Sequence, residues 1–428
     1  MRLRQLAVAA GLVGVLCVPA HAEDRDISRD TLPANDGWAS EGAGTTGGAA
    51  ADDAHVFTVT DRAELVRALD GGSDTPKIIK VAGTIDANTD DDGDRLDCSD
   101  YATGGYGLKK YLAAYDPRTW GAAKPSGPQE EARQASAARQ AERVVLPVGS
   151  NTTIVGLGDS AVLKGASLQV RNADNVIIRN LDIRDAYDCF PVWQPNTGGL
   201  GDWKTAYDGI WLAGATHVWV DHVTLSDKGH PDAEEPTYFA RNYLRHDGLL
   251  DITNGSDLVT VSWSRFAGHD KAMLIGNGDT ATGDRGKLRV TLHHNRFESV
   301  VQRAPRVRFG QVHVYNNRYE ITGDDYRYSL GVSTESRIYA ENNAFHAPGH
   351  VEAADLVKSW NGSALHQSGT LFNGFPVDLL TIYNAYNSGS ERDLTGDVGW
   401  TPALHGRIDS AAEADRAVAR GAGAGRIP

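Results

Sequence analysis

From residue 150 onward, an eight-residue frame recurs with apolar side chains at its first, third and eighth places. It reads "VIIRNLDI" from Val176, "VWVDHVTL" from Val218, "VTVSWSRF" from Val259, "VTLHHNRF" from Val290, "VHVYNNRY" from Val312 and "IYAENNAF" from Ile338. Apolar residues at places one and three follow the two-residue period of a strand with one face buried. The frame starts are separated by 42, 41, 31, 22 and 26 residues. The shortest interval fits one coil of a parallel β-helix, and the longer ones fit a coil that carries a loop insertion. Place five is polar in five of the six frames: Asn180, His222, His294, Asn316 and Asn342, with Trp263 the exception. Side chains stacked at a coil corner can hydrogen-bond to the next coil, so this offset predicts an amide ladder at place five. A β-sandwich is the competing architecture. Its strands recur every 8 to 12 residues or so, and nothing in it asks for amides at one fixed offset. The pattern is therefore read as all-β: a right-handed, single-stranded parallel β-helix with loop insertions and short capping helices at the ends.

Outside the frames the signals are local. "VFTVTDRAELVRAL" predicts a short strand and then a helix, with Asp61 and Glu64 at the spacing of a capping box. "PKIIKVAGTID" predicts another strand, and residues 86–145 read as irregular and charged. Within them "NTDDDGDRLDCS" has the acidic look of a calcium loop. Ser99 stands where an EF-hand requires its bidentate glutamate, so a solvated loop is expected. The tail "IDSAAEADRAVARGAGAGRIP" has alanine-rich helical spacing followed by glycines, and is expected to cap one end of the solenoid.

The N-terminus changes the picture of where this chain works. "MRLRQ", the apolar run "LAVAAGLVGVLCV" and the small-residue site "AHA" form a secretory signal peptide, residues 1–22, with cleavage after Ala22. The apolar run is too short to span a bilayer. A lipoprotein reading of Cys17 fails, because Leu16 sits where a small residue is expected. Residues 23–428 are expected to form one secreted domain, a monomer with no membrane partner. Cleavage removes Arg2 and Arg4, so the formal net charge falls by two, from −14 to −16. That charge excludes nucleic acid as a partner. It also argues against a polyanionic substrate, unless a metal lies between. Two cysteines remain, Cys98 and Cys189. An even pair in an oxidising compartment predicts one disulfide, the alternative being two separate buried thiols.

The insertions between frames carry the candidate chemistry. "AYDGIWL" sets Asp208 before the Val218 frame, and "RHDGLLDITNGS" sets Asp247 and Asp251 before the Val259 frame. Each precedes a predicted strand by a similar margin, so stacked coils could bring the three carboxylates together. Such an all-oxygen set suits a hard cation such as Ca²⁺; alternatively, each aspartate caps its own turn. Lys271 follows in "GHDKAMLIG", and "VVQRAPRVRFG" places Arg303, Arg306 and Arg308 within six positions. "RVR" in extended geometry puts Arg306 and Arg308 on one face, with Pro305 at the strand start rather than inside it. A basic cluster is often a solvated, ion-paired face. Here its nearness to clustered carboxylates favours a site.

The blocks "THVWVDHVTLSD", "HDGLLDITNGSDLVTVSWSRF", "HDKAMLIGNGD", "LHHNRF" and "VVQRAPRVRFGQVHVYNN" resemble the secreted calcium-dependent pectate lyases of the parallel β-helix type, polysaccharide lyase family 1. The likeness runs from about residue 45 to the tail. It implies Ca²⁺ as cofactor, held by Asp208, Asp247 and Asp251. It implies Arg303 as the group that takes the proton, and Lys271 and Arg308 as binders of the substrate carboxylate. Some relatives carry a further acid two positions before the first ligand, where this chain has Ala206. Asp221 and His222 belong to the family signature and are read as structural. The implied reaction is β-elimination in polygalacturonate, removing the C5 hydrogen and expelling the C4 oxygen. An unperturbed guanidinium is a costly base: with a pKa of about 12.5, its neutral form costs about 5 kcal/mol at a pH of about 9. Neighbouring cations lower that cost. Three other readings compete. A pectin lyase needs no metal and favours aromatics over the aspartates. A polygalacturonase needs paired carboxylates and leaves the arginines unexplained. A non-catalytic pectin-binding β-helix would have no need of the base and the metal ligands together.

Overall fold

The computed structural model describes residues 26–387, 389 and 392–427; the expected signal peptide lies outside the described residues. The six frames pair with one another in parallel and in register. Val176 lies opposite Val218, Val218 opposite Val259, Val259 opposite Val290, Val290 opposite Val312, and Val312 opposite Ile338. Each interval is therefore one coil. The ladder runs beyond the frames, so that the first sheet has ten strands, from Val56–Val59 to Leu365–Ser368. A second sheet begins at Thr84–Asp86 and a third, of eight strands, at Val145–Val148. The chain passes from the first sheet to the second to the third in each coil. This is the right-handed parallel β-helix expected from the repeat.

Places one, three and eight fill the core between the sheets. Val176, Ile178, Val218, Val220, Val259 and Val261 are fully buried. Place eight, on the second sheet, forms a ring stack: Phe266, Phe297, Tyr319 and Phe345 follow one another at 4.9, 4.9 and 4.2 Å. Identical sequence places meet because parallel pairing without a register slip superposes them.

The corner corrects one expectation. Place five is the turn residue between the first and second sheets, and in all six coils it is left-handed, with φ of 47–54°. Asparagine tolerates that region better than most residues, which explains its recurrence. The hydrogen-bonded ladder lies one residue later. The backbone N–H of Ser264 donates to Asn295 Oδ1 at 2.9 Å, Asn295 N–H to Asn317 Oδ1 at 2.9 Å, and Asn317 N–H to Asn343 Oδ1 at 2.9 Å. Place five forms no such continuous ladder: Asn316 Nδ2 donates to Asn342 O at 3.2 Å and Asn180 Nδ2 to Gly156 O at 3.0 Å, while His222 stacks on Trp263 at 5.9 Å and Trp263 on His294 at 4.4 Å.

The tail is also corrected. Its helix, Ala411–Gly421, packs along the strands Arg318–Glu320 and Ala344–His346 of the second sheet, not over an end. The segment then runs back along the place-five seam, where Gly425 N–H donates to Asn180 Oδ1 at 2.7 Å. The ends are covered by other helices. Arg62–Leu69, capped by Asp61, buries Leu65, Ala68 and Leu69 against the first coil. Leu379–Tyr386 buries Leu379 and Tyr383 against the last.

Residues 86–145 hold four helices, Cys98–Tyr101, Leu108–Ala114, Pro117–Trp120 and Pro128–Val144. The longest escaped the sequence reading because much of its inner face is polar. Ser136 and Gln140 are fully buried, and Gln140 is satisfied by Tyr187 O and by Cys189 N–H, each at 2.9 Å. A disulfide joins Cys98 to Cys189 and ties this insertion to the next one.

Candidate active site

The largest insertions leave the second sheet and return to the third, so whatever stands at their return is carried to one wall of the solenoid. Asp208 precedes the strand Ile210–Ala213, Asp247 precedes Leu250–Thr253, and Asp251 lies in that strand opposite Trp211. One coil on, Lys271 ends the strand Arg265–Lys271 and pairs with Gln302. Arg303 follows Gln302, and its carbonyl accepts from Met273 N–H at 2.8 Å. Stacking of consecutive coils thus gathers three carboxylates and two cations from four stretches of sequence.

Gly248 shows how closely the acids converge. A Cβ there would lie 2.6 Å from Asp251 Oδ1 and 2.8 Å from Asp208 Oδ1. Its N–H donates to Asp208 Oδ1 at 2.8 Å, and Leu274 N–H donates to Asp251 Oδ1 at 2.9 Å. Removal from water, then Asp251, then Asp247 push the pKa of Asp208 well above the carboxylate range. Desolvation and Asp247 push Asp251 up to about 6, against the pull of the Arg303 guanidinium. Asp247 is drawn aside by Lys204 Nζ at 3.4 Å and Lys271 Nζ at 3.9 Å. Crowded acids of raised proton affinity, with oxygen donors only, fit a hard divalent cation.

The cations sit beside them. Arg303 is left-handed at φ 60°, and its Nε is enclosed without a hydrogen-bond partner. Pro305 follows through a cis peptide and precedes the strand Arg306–Val307, with Val307 in the core and both neighbouring arginines facing outward, as the pattern predicted. Arg306 donates to Ser333 Oγ at 3.0 Å and lies 4.1 Å over the Trp360 ring. Burial, then Arg308 and Arg303, lower its pKa. A groove of about 840 Å³ opens over this wall, lined by Lys204, Lys271, Arg303, Arg241 and Arg327 among others. Arg308 stands apart from it: its Nε donates to Asp279 at 2.6 Å, and among the described residues it does not line the groove.

The family model described as "Pectate lyase" covers residues 5–99 and 122–391. The chain belongs to the pectate lyase family. As a member it is an enzyme of the polysaccharide lyase class. It is 46% identical over 414 residues to the pectate lyase of Bacillus subtilis (strain 168), covering 96% of both chains. It is 36% identical over 387 residues to pectate lyase E of Dickeya dadantii, covering 87% of this chain and 84% of the relative. Among solved structures, an arginine-to-lysine mutant of the Bacillus subtilis pectate lyase matches with a TM-score of 0.90 at 46% identity, and covers 94% of this chain and 100% of its own. A pectate lyase bound to a hexasaccharide matches with a TM-score of 0.89 at 45% identity and the same coverage.

For this pectate lyase, three features lay beyond sequence reasoning. Lys204, on the insertion strand Asp202–Lys204, is the cation nearest to Asp247, and nothing in its sequence setting singles it out. Trp193, Trp203 and Tyr207, aromatic residues of one insertion, are each no more than 4% exposed. Trp193 and Trp203 stack in an aromatic cluster with Tyr111, Tyr243 and Phe239, and Trp203 also reaches the groove wall. The third is a group of acids and imidazoles behind Asp247. Asp227, Asp232 and His246 are the one trio among the described residues whose possible ligand atoms all lie within 4.8 Å of one another. His246 has Nδ1 at 2.9 Å from Asp232 and Nε2 at 3.4 Å from Asp185, so both nitrogens face carboxylates. Burial lowers its pKa, but Asp227, Asp185 and Asp232 together raise it to about 10. Both ring nitrogens are thus taken up by an ion-pair network with the surrounding carboxylates. Asp221 and His222 are structural, as read: Asp221 is buried and accepts from Arg179 Nε at 2.9 Å, Ser262 Oγ at 2.7 Å and His222 Nδ1 at 2.8 Å.

Proposed function

We propose that this chain is a calcium-dependent pectate lyase that cleaves α-1,4-linked polygalacturonate by β-elimination, giving 4,5-unsaturated oligogalacturonides. The observation that carries it is the meeting, in a member of this family, of three crowded carboxylates with Lys271 and Arg303 beside the groove that those two cations line. Asp208, Asp247 and Asp251 would hold Ca²⁺. Calcium, when bound, lends positive charge to the uronate carboxylate and so makes the C5 hydrogen more acidic.

The chain's own residues do the rest. Arg303 takes the C5 proton. It lines the groove with Lys271, where a sugar ring can lie against it. Lys271 and Arg308 bind the substrate carboxylate, and Arg308 exchanges Asp279 for it. Lys204 releases Asp247 as the site fills. Lys204, Arg241, Lys271, Arg303 and Arg327 give an acidic polymer cationic contacts in a groove that also carries aspartates, and bound calcium would supply the rest of the positive charge. Residues 23–428 act as one monomeric, secreted domain, exported by way of residues 1–22. No helix of the described residues is long and apolar enough to cross a membrane.

The test is the ultraviolet absorbance of the unsaturated product on polygalacturonate, with calcium and with chelator. Hydrolysis and mere binding produce no such signal. Turnover that persists undiminished in chelator would overturn the reading, and so would products lacking the double bond.

A further inference from the structure

The buried network behind Asp247 reaches the acidic site through one side chain. His269 lies on the strand Arg265–Lys271, two residues before Lys271, and is 4% exposed. Its Nδ1 is 2.7 Å from Asp227 Oδ2, and its Nε2 is 3.0 Å from the backbone carbonyl of Asp247. A carbonyl and a carboxylate only accept, so both ring nitrogens donate and the ring is an imidazolium.

The consequence is mechanical. Asp247 stands at the end of the insertion 227–249, where the backbone leaves its loop for the strand Leu250–Thr253. Its own N–H reaches Tyr207 O only at 3.3 Å, and its carboxylate is shared between Lys204 and Lys271. The short, charge-assisted bridge from Asp227 through His269 is the firm tie on this residue. The far end of the tie is firm too. Asp227 and His269 are both buried, and they adjoin His246, which Asp232 and Asp185 hold in turn.

We infer that His269 and Asp227 are positioning residues: they clamp the main chain of Asp247 to the strand bearing Lys271, and so set the calcium affinity of the acidic site. The inference rests on the proposed function, since it takes Asp247 as a ligand. A residue that orients a ligand from behind is commonly worth 10- to 100-fold in metal affinity.

Two variants separate positioning from packing. In His269→Gln the amide nitrogen reaches the place of Nε2 and keeps the bond to Asp247. In His269→Asn the amide nitrogen takes the place of Nδ1, keeps Asp227 and cannot reach Asp247. Calcium binding is measured by calorimetry on protein shown to be folded by circular dichroism, and kcat and KM are measured at saturating calcium. The Asn variant is expected to bind calcium about 10- to 100-fold more weakly, and the Gln variant only a few-fold. Excess calcium is expected to restore most of the kcat of the Asn variant. Equal calcium affinity in the two variants, whatever their melting temperatures, overturns the inference. Should the Asn variant not fold, Asp227→Asn unties the bridge from its other end: weaker calcium binding supports the clamp, and unchanged binding overturns it. The parent titration reports separately on the proposed function. If the parent binds no calcium, that reading fails first.

Discussion

Gly248→Ala tests the acidic site with the smallest possible change. The added methyl carbon would stand 2.6 Å from Asp251 Oδ1 and 2.8 Å from Asp208 Oδ1, where ordinary contact begins at 3.4 Å. The two oxygens must therefore retreat by about 0.8 and 0.6 Å. Calcium accepts oxygens between about 2.3 and 2.6 Å, a window roughly 0.3 Å wide, so retreats of that size take both out of coordination range. Neither acid can swing freely, because Gly248 N–H holds Asp208 and Leu274 N–H holds Asp251. Gly248 does not occupy the left-handed region, so alanine adds no backbone strain. The expected cost is at least tenfold in calcium affinity, about 1.4 kcal/mol, with a native melting temperature in chelator. The assay is lyase rate against free calcium, with calorimetric calcium binding as the direct readout. A folded Gly248→Ala protein with a calcium half-saturation within twofold of the parent would refute the convergence of Asp208 and Asp251 on one ion.

Other predictions follow from the same geometry. Arg303→Lys is expected to lower kcat by about 10²- to 10⁴-fold, the usual worth of a placed base, while calorimetry shows unchanged calcium binding; near-parental turnover would remove Arg303 from its role. Calcium affinity should fall as the pH drops through about 6, because protons then occupy Asp251, and burial beside Asp251 and Asp247 raises Asp208 as well. The sign for stability is the reverse of a salt-bridged acid. These carboxylates bind protons more tightly when folded, so in chelator their contribution is lost as the pH rises from 3.8 to about 6, and added calcium should restore the melting temperature above that range. A calcium-induced shift that grows towards acid pH would contradict this. Asn317→Ala should destabilise the fold by about 3 kcal/mol in denaturant unfolding, because it strands the N–H of Asn295 and the carbonyls of Leu292 and Tyr315, and it should leave kcat unchanged. A loss below about 0.5 kcal/mol would show that the ladder contributes little.

The architecture was legible because a solenoid repeats its burial. Val176, Val218, Val259, Val290, Val312 and Ile338 meet the same core in successive coils, so one apolar frame marks them all and predicts their pairing. The nearness of the acids was legible for a related reason: Asp208 and Asp247 stand just before strands that stack, and Asp251 lies in the second of them. The amide ladder was misplaced by one residue. Polarity at place five and at place six looks alike in sequence, and only the left-handed turn decides which side chain tucks beneath the next coil. The helix Pro128–Val144 was hidden because Ser136 and Gln140, not large apolar residues, form part of its buried face.

By itself, then, the order of residues determined the class of fold, the coil boundaries, the register and the list of acids and arginines. These depend on periodicity, which survives in one dimension. The tertiary structure alone decided which partner each polar group found: Lys204 on Asp247, Asp279 on Arg308, His269 between Asp227 and a carbonyl, and the tail along the flank instead of an end. A hydrogen bond joins atoms about 3 Å apart whatever their separation along the chain, and its direction is set by loops whose paths have no period.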